Sequence, residues 1–479
     1  MHTESTPASR HRLLPQLGRP KPSYLLISAA VLGVVVLSWI AGAGAARAPG
    51  KGIFLIIALL LGILASVLLV NKFQLGVLLL PATALAVPYD LSTGTETKLP
   101  VSLLLTFMLT SIWIVSMWFR GWQLAKTPLN GPLLSFAAIS IISLAWGIVW
   151  RDPGLVDWSG HFVFVQIAAL LAILLSLSAA ILIGNFVTTT GQLKYLMGMF
   201  IGCCSLMLVI RTLDIDQSIF TIRGLWALWL VAPVYALLIT QPNLAWYWRL
   251  ALAMVLVWTF EQILIKDSLW VSGWLPSVVA IFAITLLRSR KAFVVLAIVL
   301  IIAYQHPAVN NFFAFVTQEN VDEGALERIS IWEQSWGVVR EHWLFGTGPA
   351  GYAIYYLTYY QADARSTHNN YLDILAQFGF SGMIAWLWLI GASLWEGWRL
   401  AQRAPAGFLR TMAITAAGGW AGALSSMFLG DWVLPFAYNQ TVAGFKYTVY
   451  SWVFLGVLIS IRRLVPAQHE APKRPELQS

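Results

Sequence analysis

The chain has 479 residues, 58% of them apolar and only 11% charged, with a mean hydropathy of +0.73. Soluble domains carry about a quarter charged residues, so this balance excludes an ordinary soluble enzyme. A net charge of +9 in so apolar a chain points either to nucleic acid or to orientation in a membrane, and the positions of the charges decide between them.

Crossing a hydrocarbon layer of ~30 Å takes roughly 17 to 25 predominantly apolar residues. In chain order such runs fall near 24–42, 53–70, 73–88, 101–119, 131–150, 162–183, 195–211, 225–240, 250–266, 268–287, 292–304, 377–396, 411–430 and 447–461. They predict about 12 to 14 transmembrane helices, because several runs are short and the pair around Lys266 and Asp267 reads either as two spans or as one broken or re-entrant element. The expected fold class is therefore an all-α polytopic membrane protein. Its expected organisation is a cytoplasmic tail at 1–23, a transmembrane bundle at 24–304, a large outer loop at 305–376, transmembrane helices at 377–461 and a cytoplasmic tail at 462–479. The first span lacks a small-residue cleavage signature and is expected to stay as an anchor.

With residues 1–23 cytoplasmic and the spans alternating, 19 of the 30 Lys and Arg lie on the cytoplasmic side, with only four acids there, Glu4, Glu396, Glu470 and Glu476. This is the positive-inside pattern, so the charge is explained by topology and calls for no nucleic-acid partner. Cys203 and Cys204 are neighbours in an apolar run, a placement that excludes an ordinary intrachain disulfide and offers no metal-ligand spacing.

The one long connection, 305–376, is expected to face outward and to carry function. Residues 324–343 read as an amphipathic helix with Ile329, Trp332, Trp336, Val339 and Trp343 close to one face, lying in the membrane interface. Arg328 in its first turn is either a headgroup-facing arginine or an anion ligand facing a cavity. Gly346, Gly348 and Gly351 form a literal G-x-G-x-x-G, but without a strand before it or a βαβ unit around it the dinucleotide reading fails, and the glycines predict a tight turn between two helices. Tyr352, Tyr355, Tyr356, Tyr359 and Tyr360 then share one helix face, suited to the bilayer interface or to stacking on sugar rings. Ser366 or Thr367 can cap the next helix, which places His368 and Asn369 at its start. A histidine there can act as general base on a hydroxyl, and it can equally be a plain loop residue.

His368-Asn369, nine residues, then Gly379-Phe380-Ser381-Gly382 resembles the H-[NSQ]-x9-G-x-x-G signature of the bacterial O-antigen ligase and O-antigen polymerase superfamily. Arg328-x3-Trp332, the Phe345–Tyr352 glycine turn and the cytoplasmic Arg288-Ser289-Arg290-Lys291 resemble the same family's elements; together they cover about residues 285 to 390. The resemblance implies a fold related to GT-C glycosyltransferases and a transferase without cofactor or metal. Its implied partners are an undecaprenyl-diphosphate-linked glycan donor, a glycan or lipid acceptor and membrane lipid, and its implied place is the outer face of the bacterial inner membrane. By motif, His368 is the implied catalytic histidine and Arg328 an implied catalytic arginine. A second arginine is expected in the loop RTLDIDQSIFTIRGLW, as Arg223 or, alternatively, Arg211. Asn369, Tyr352 and Tyr356 are the expected substrate contacts. Asn369, or a carboxylate such as Asp363 or Asp373, is expected to position the histidine. The competing class is a flippase or other transporter of lipid-linked glycans, for which Glu261 is the one clear intramembrane ionisable candidate.

Overall fold

The computed structural model describes residues 69, 71–87, 90–92, 98–156, 160–213, 225–267, 269–320, 326–360, 367–435 and 441–465. The chain divides into two units: residues 1–72 with 112–122, and residues 73–111 with 123–479. Of the first, the described part is chiefly the second half of one apolar helix. Everything below concerns the second.

In chain order the helices are α1 (Phe73–Ala86), α2 (Val101–Arg120), α3 (Asn130–Val149), α4 (Phe162–Phe186), α5 (Thr190–Thr212), α6 (Trp226–Thr240), α7 (Trp246–Phe260), α8 (Val271–Arg288), α9 (Arg290–Tyr304), α10 (Pro307–Asn320), α11 (Leu326–Glu341), α12 (Tyr352–Tyr360), α13 (Asn370–Arg403), α14 (Phe408–Ser426) and α15 (Phe445–Leu464). A π-helical turn, Glu261–Lys266, extends α7. The only sheet among the described residues is the hairpin β1 (Asp90–Ser92) and β2 (Lys98–Pro100), whose Asp90 pairs with Lys446 at 2.7 Å. Eight helices among the described residues are long and apolar enough to cross a membrane, and the chain is an all-α polytopic membrane protein.

Twelve of the expected apolar runs fall on described residues, and each lies on a helix. Those at 24–42 and, apart from Leu69, 53–70 lie outside them. The ambiguous pair around Asp267 is two helices, α7 and α8, joined by a short turn. α9 and α10 meet at a bend of 83°, where Pro307 cannot continue the preceding helix and opens the next one.

Small residues set the helix spacing, because between helices in lipid close van der Waals packing takes the place of the hydrophobic effect. A Cβ on Gly422 of α14 would lie 2.3 Å from the Pro276 carbonyl oxygen of α8, and one on Gly456 of α15 would lie 2.6 Å from the Ala180 carbonyl oxygen of α4. Around these contacts α4, α6, α14 and α15 are buried along most of their length. α9 has no buried residue; Val294, Val295, Ile298, Val299, Ile301 and Ile302 form an apolar exterior suited to lipid.

Candidate active site

Two glycine turns build the floor of the site. Gly346 (φ +68°) and Gly348 (φ +87°) sit between α11 and α12, and Gly379 (φ +64°) breaks α13 after its first turns. The turns interlock backbone to backbone. Thr347 N–H donates to the Ala376 carbonyl (2.9 Å), Gly348 N–H to Gln377 (3.0 Å), Phe380 N–H to Trp343 (2.7 Å) and Ser381 N–H to Leu344 (3.2 Å). Only glycine fits: a Cβ at 346 would stand 2.4 Å from the Gln377 carbonyl carbon, and one at 379 would stand 2.5 Å from that of Leu344. Ser143 of α3 and Gln166 of α4 tie this knot to the membrane helices, at 2.6 Å to the Phe345 and Gln377 carbonyls and 3.0 Å to the Thr347 carbonyl. The G-x-G-x-x-G run is thus a turn between helices, as expected, and its function is close packing.

The start of α13 departs from expectation. Its N-cap is Asn369, whose side-chain oxygen accepts from Tyr371 N–H (3.0 Å) and Leu372 N–H (3.3 Å). Thr367 does not cap, because its hydroxyl is taken by Asp373 Oδ1 at 2.7 Å, and Ser366 lies outside the described residues. His368 therefore stands one residue before the cap, half-buried, with φ +52°. That left-handed conformation costs a residue with a Cβ about 1–2 kcal/mol and persists only where neighbours hold it. Here the neighbours are bonded to each other across the histidine: Asn369 N–H donates to the Thr367 hydroxyl oxygen at 3.1 Å.

α11 reaches the same turn. Trp332 Nε1 donates to the Thr367 carbonyl at 2.7 Å, one helical turn beyond Arg328. This explains the tryptophan of the Arg328-x3-Trp332 element, for which the sequence offered only an interfacial role. The buried face of α11 is Ile331, Ser335, Val338 and Val339, rotated from the expected row, of which Ile329 and Trp343 are about half exposed. The small Ser335 lets the helix lie close against protein, while Trp336 and Trp343 are left exposed.

Arg328 is exposed and lines a cleft of about 560 Å³. Its walls are the 269–274 segment at the start of α8, with Trp270 and Trp274, then Phe313, Val316 and Thr317 of α10, and Leu429 from the turn after α14. Among the described residues Arg328 is the only charged one in this lining. Arg211 forms an ion pair with Asp267, two residues before the cleft wall begins, which brings it to the edge of the same region. Arg223 lies outside the described residues, as does Asp363.

The tyrosine face points into the protein. Tyr352, Tyr355 and Tyr356 are buried, and only Tyr359 and Tyr360 at the far end of α12 are exposed. Tyr352 donates to Asp373 Oδ1 at 3.1 Å; burial, with the neighbouring Asp373 carboxylate, pushes its phenol well above the ordinary range, so it stays a donor. Tyr356 packs on Tyr360, with ring centroids 5.5 Å apart. Neither presents the open ring expected for a sugar. Tyr359 donates to Asp152 on the loop between α3 and α4, which holds that carboxyl below its usual range and pushes the phenol up to about 12.

Asp373, Asn370 and Asp431 complete the inner layer. Asn370 Oδ1 accepts from Val433 N–H (3.0 Å) and Leu434 N–H (3.2 Å), so the cleft-bearing turn 427–434 is fastened to the start of α13. Asp431 on that turn is buried close to Asp373. Asn370 and Asp431 were missed from sequence, since nothing local marks a residue recruited from beyond a whole membrane helix.

No curated protein matches the chain. Residues 228–387, which run from α6 through the first half of α13 and include Arg328, Trp332, both glycine turns and His368, match the family model described as O-antigen ligase, and this match supports a place for the chain in the O-antigen ligase and polymerase superfamily.

Proposed function

We propose that the chain transfers a glycan from an undecaprenyl-diphosphate-linked donor to an acceptor hydroxyl at the outer face of the bacterial inner membrane, with inversion and without a metal. The observation that carries this reading is the joining of two chemistries through one helix: Arg328 in an apolar cleft, and one turn further Trp332 fastened to the residue before His368. A cleft with a cation and with aromatic and aliphatic walls suits a ligand that is anionic at one end and a hydrocarbon at the other. The Arg328 guanidinium takes phosphate oxygens in its planar fork, while Trp270, Trp274, Phe313 and Val316 receive the prenyl chain. His368 removes the acceptor hydroxyl proton as that oxygen attacks the anomeric carbon. The bond from that carbon to the phosphate oxygen breaks on the opposite face, the electron pair leaves with the diphosphate, and the proton on His368 passes to water. Arg223 is the second arginine in this scheme, with Arg211 as its alternative. Asn369 keeps the turn in place through its cap.

Glycans of a deletion strain, analysed by mass spectrometry, test the reading. Full-length chains retained on the carrier identify the lost step as ligation, and short lipid-linked repeats identify it as polymerisation. An unchanged glycan profile overturns the proposal.

The outer-face placement has its own check. Thr317 is exposed at the cleft, so a cysteine placed there should react with a membrane-impermeant maleimide on intact spheroplasts. Reaction only after lysis reverses the orientation and removes the outer-face mechanism.

A further inference from the structure

The direction in which His368 points depends on the two peptide groups beside it. A peptide group is planar, so a side chain's direction follows once the planes before and after its Cα are held. The plane after His368 is held from within the turn, by the Asn369 N–H on the Thr367 hydroxyl oxygen at 3.1 Å. The plane before it is held from another helix: the Thr367 carbonyl accepts from Trp332 Nε1 of α11 at 2.7 Å. Thr367 is fully buried, so a carbonyl that loses the indole is left without water to replace it. The strain stored at φ +52° is comparable with what one hydrogen bond contributes, and a turn without this tether is free to relax.

We propose that Trp332 is a positioning residue for the general base: its indole N–H holds the Thr367–His368 peptide and, through α11, sets the imidazole at a fixed place relative to the Arg328 cleft. The proposal rests on the transfer reading above, in which His368 is that base. Arg328 and Trp332 are four residues apart on α11, one turn and about 6 Å along the axis. Direct displacement needs the attacking oxygen and the leaving phosphate on opposite faces of one carbon, so base and cation have to be held in one frame. One helical turn and one hydrogen bond supply that frame. An indole suits the task, because its N–H only donates and its flat ring carries that donor across to the next helix. Trp332 acts through the backbone of the turn and touches no reacting atom.

The test is Trp332→Phe, which keeps a ring at the position and removes the donor. With donor and acceptor glycolipids extracted from the deletion strain, kcat should fall on the order of 10²-fold while donor KM stays close to wild type, because the cleft and Arg328 are untouched. Trp336, exposed one turn further along the helix, is the control, and Trp336→Phe should keep the wild-type kcat. In a His368→Asn background, where no base remains to be placed, Trp332→Phe should add little further loss. A wild-type kcat in folded Trp332→Phe, an equal loss in Trp336→Phe, or the same large loss with His368 absent overturns positioning. Amide hydrogen exchange gives a reading independent of turnover. The stretch 367–372, with its bonded Asn369, Tyr371 and Leu372 amides, should exchange faster in Trp332→Phe than in the wild type. Unchanged exchange there means that the indole does not hold the turn, and overturns the proposal by itself. Failure of the wild-type protein to transfer at all sinks the functional reading, and the exchange comparison then decides whether Trp332 holds the turn.

Discussion

Replacing His368 by asparagine removes glycan transfer by a factor on the order of 10² to 10⁴, the usual contribution of a positioned general base, while the protein still folds and inserts. The choice of asparagine follows from the backbone. His368 sits at φ +52°, a conformation asparagine adopts more readily than most residues, so the turn and the Thr367–Asn369 bond survive the change. An amide has no useful basicity, so the variant separates the proton acceptor from the turn that holds it. His368→Gln is the companion: it keeps hydrogen-bonding capacity in a longer side chain but is less at ease in the left-handed region. Both should lose kcat with little change in donor KM, because the proposed scheme holds the diphosphate elsewhere, on Arg328. Substantial turnover in His368→Asn at normal expression would show that the histidine only orients the acceptor.

Arg328→Lys should lose transfer by a factor on the order of 10² to 10³, the scale for removing one preorganised donor to developing charge. A lysine keeps the positive charge but offers a point ammonium where the guanidinium presents a planar fork to two phosphate oxygens. Arg328 is exposed on the first turn of α11, and the buried face of that helix is carried by Ile331, Ser335, Val338 and Val339, so the fold has no stake in the side chain. Loss of activity can then be read as loss of chemistry, with membrane-inserted protein quantified alongside. Activity within a few-fold of wild type would reduce Arg328 to a headgroup contact. The same substitution at Arg223 and at Arg211 decides between the two for the second cation. Arg211 carries its own control in Asp267: if its work is the ion pair, Asp267→Asn should match the loss.

Elements that depend on composition and short-range pattern were legible in the chain itself. Apolar runs of membrane-spanning length became helices because a backbone in hydrocarbon has to satisfy its own hydrogen bonds, and the twelve runs within the described residues all did so. The glycine run 346–351 was readable as a turn, since glycines at that density between two helical patterns have few other uses. His368 and Asn369 at the mouth of a membrane helix were readable for the same local reason.

What the sequence left open is what distant partners decide. Asn369 and Thr367 are both capping residues by propensity; Asn369 takes the position because the buried Asp373 draws the Thr367 hydroxyl into a different bond. In water the row Ile329, Trp332, Trp336, Val339 and Trp343 would mark the buried face of α11. Beside a membrane apolar side chains gain little by turning inward, so Ser335 packs with Ile331, Val338 and Val339 while Ile329, Trp336 and Trp343 stay outside. The tyrosines of α12 share one face by helical periodicity, but periodicity does not say what the face meets, and the Asp373 acceptor turns Tyr352 inward. Asp431 and Asn370 become neighbours of one another only when α13 and α14 are packed and the following turn folds back on the start of α13. Local rules act over a few residues of backbone, and they decided the helices and the turns. The burial of a carboxyl pair depends on which surfaces exclude water together, and only the assembled bundle defines those surfaces.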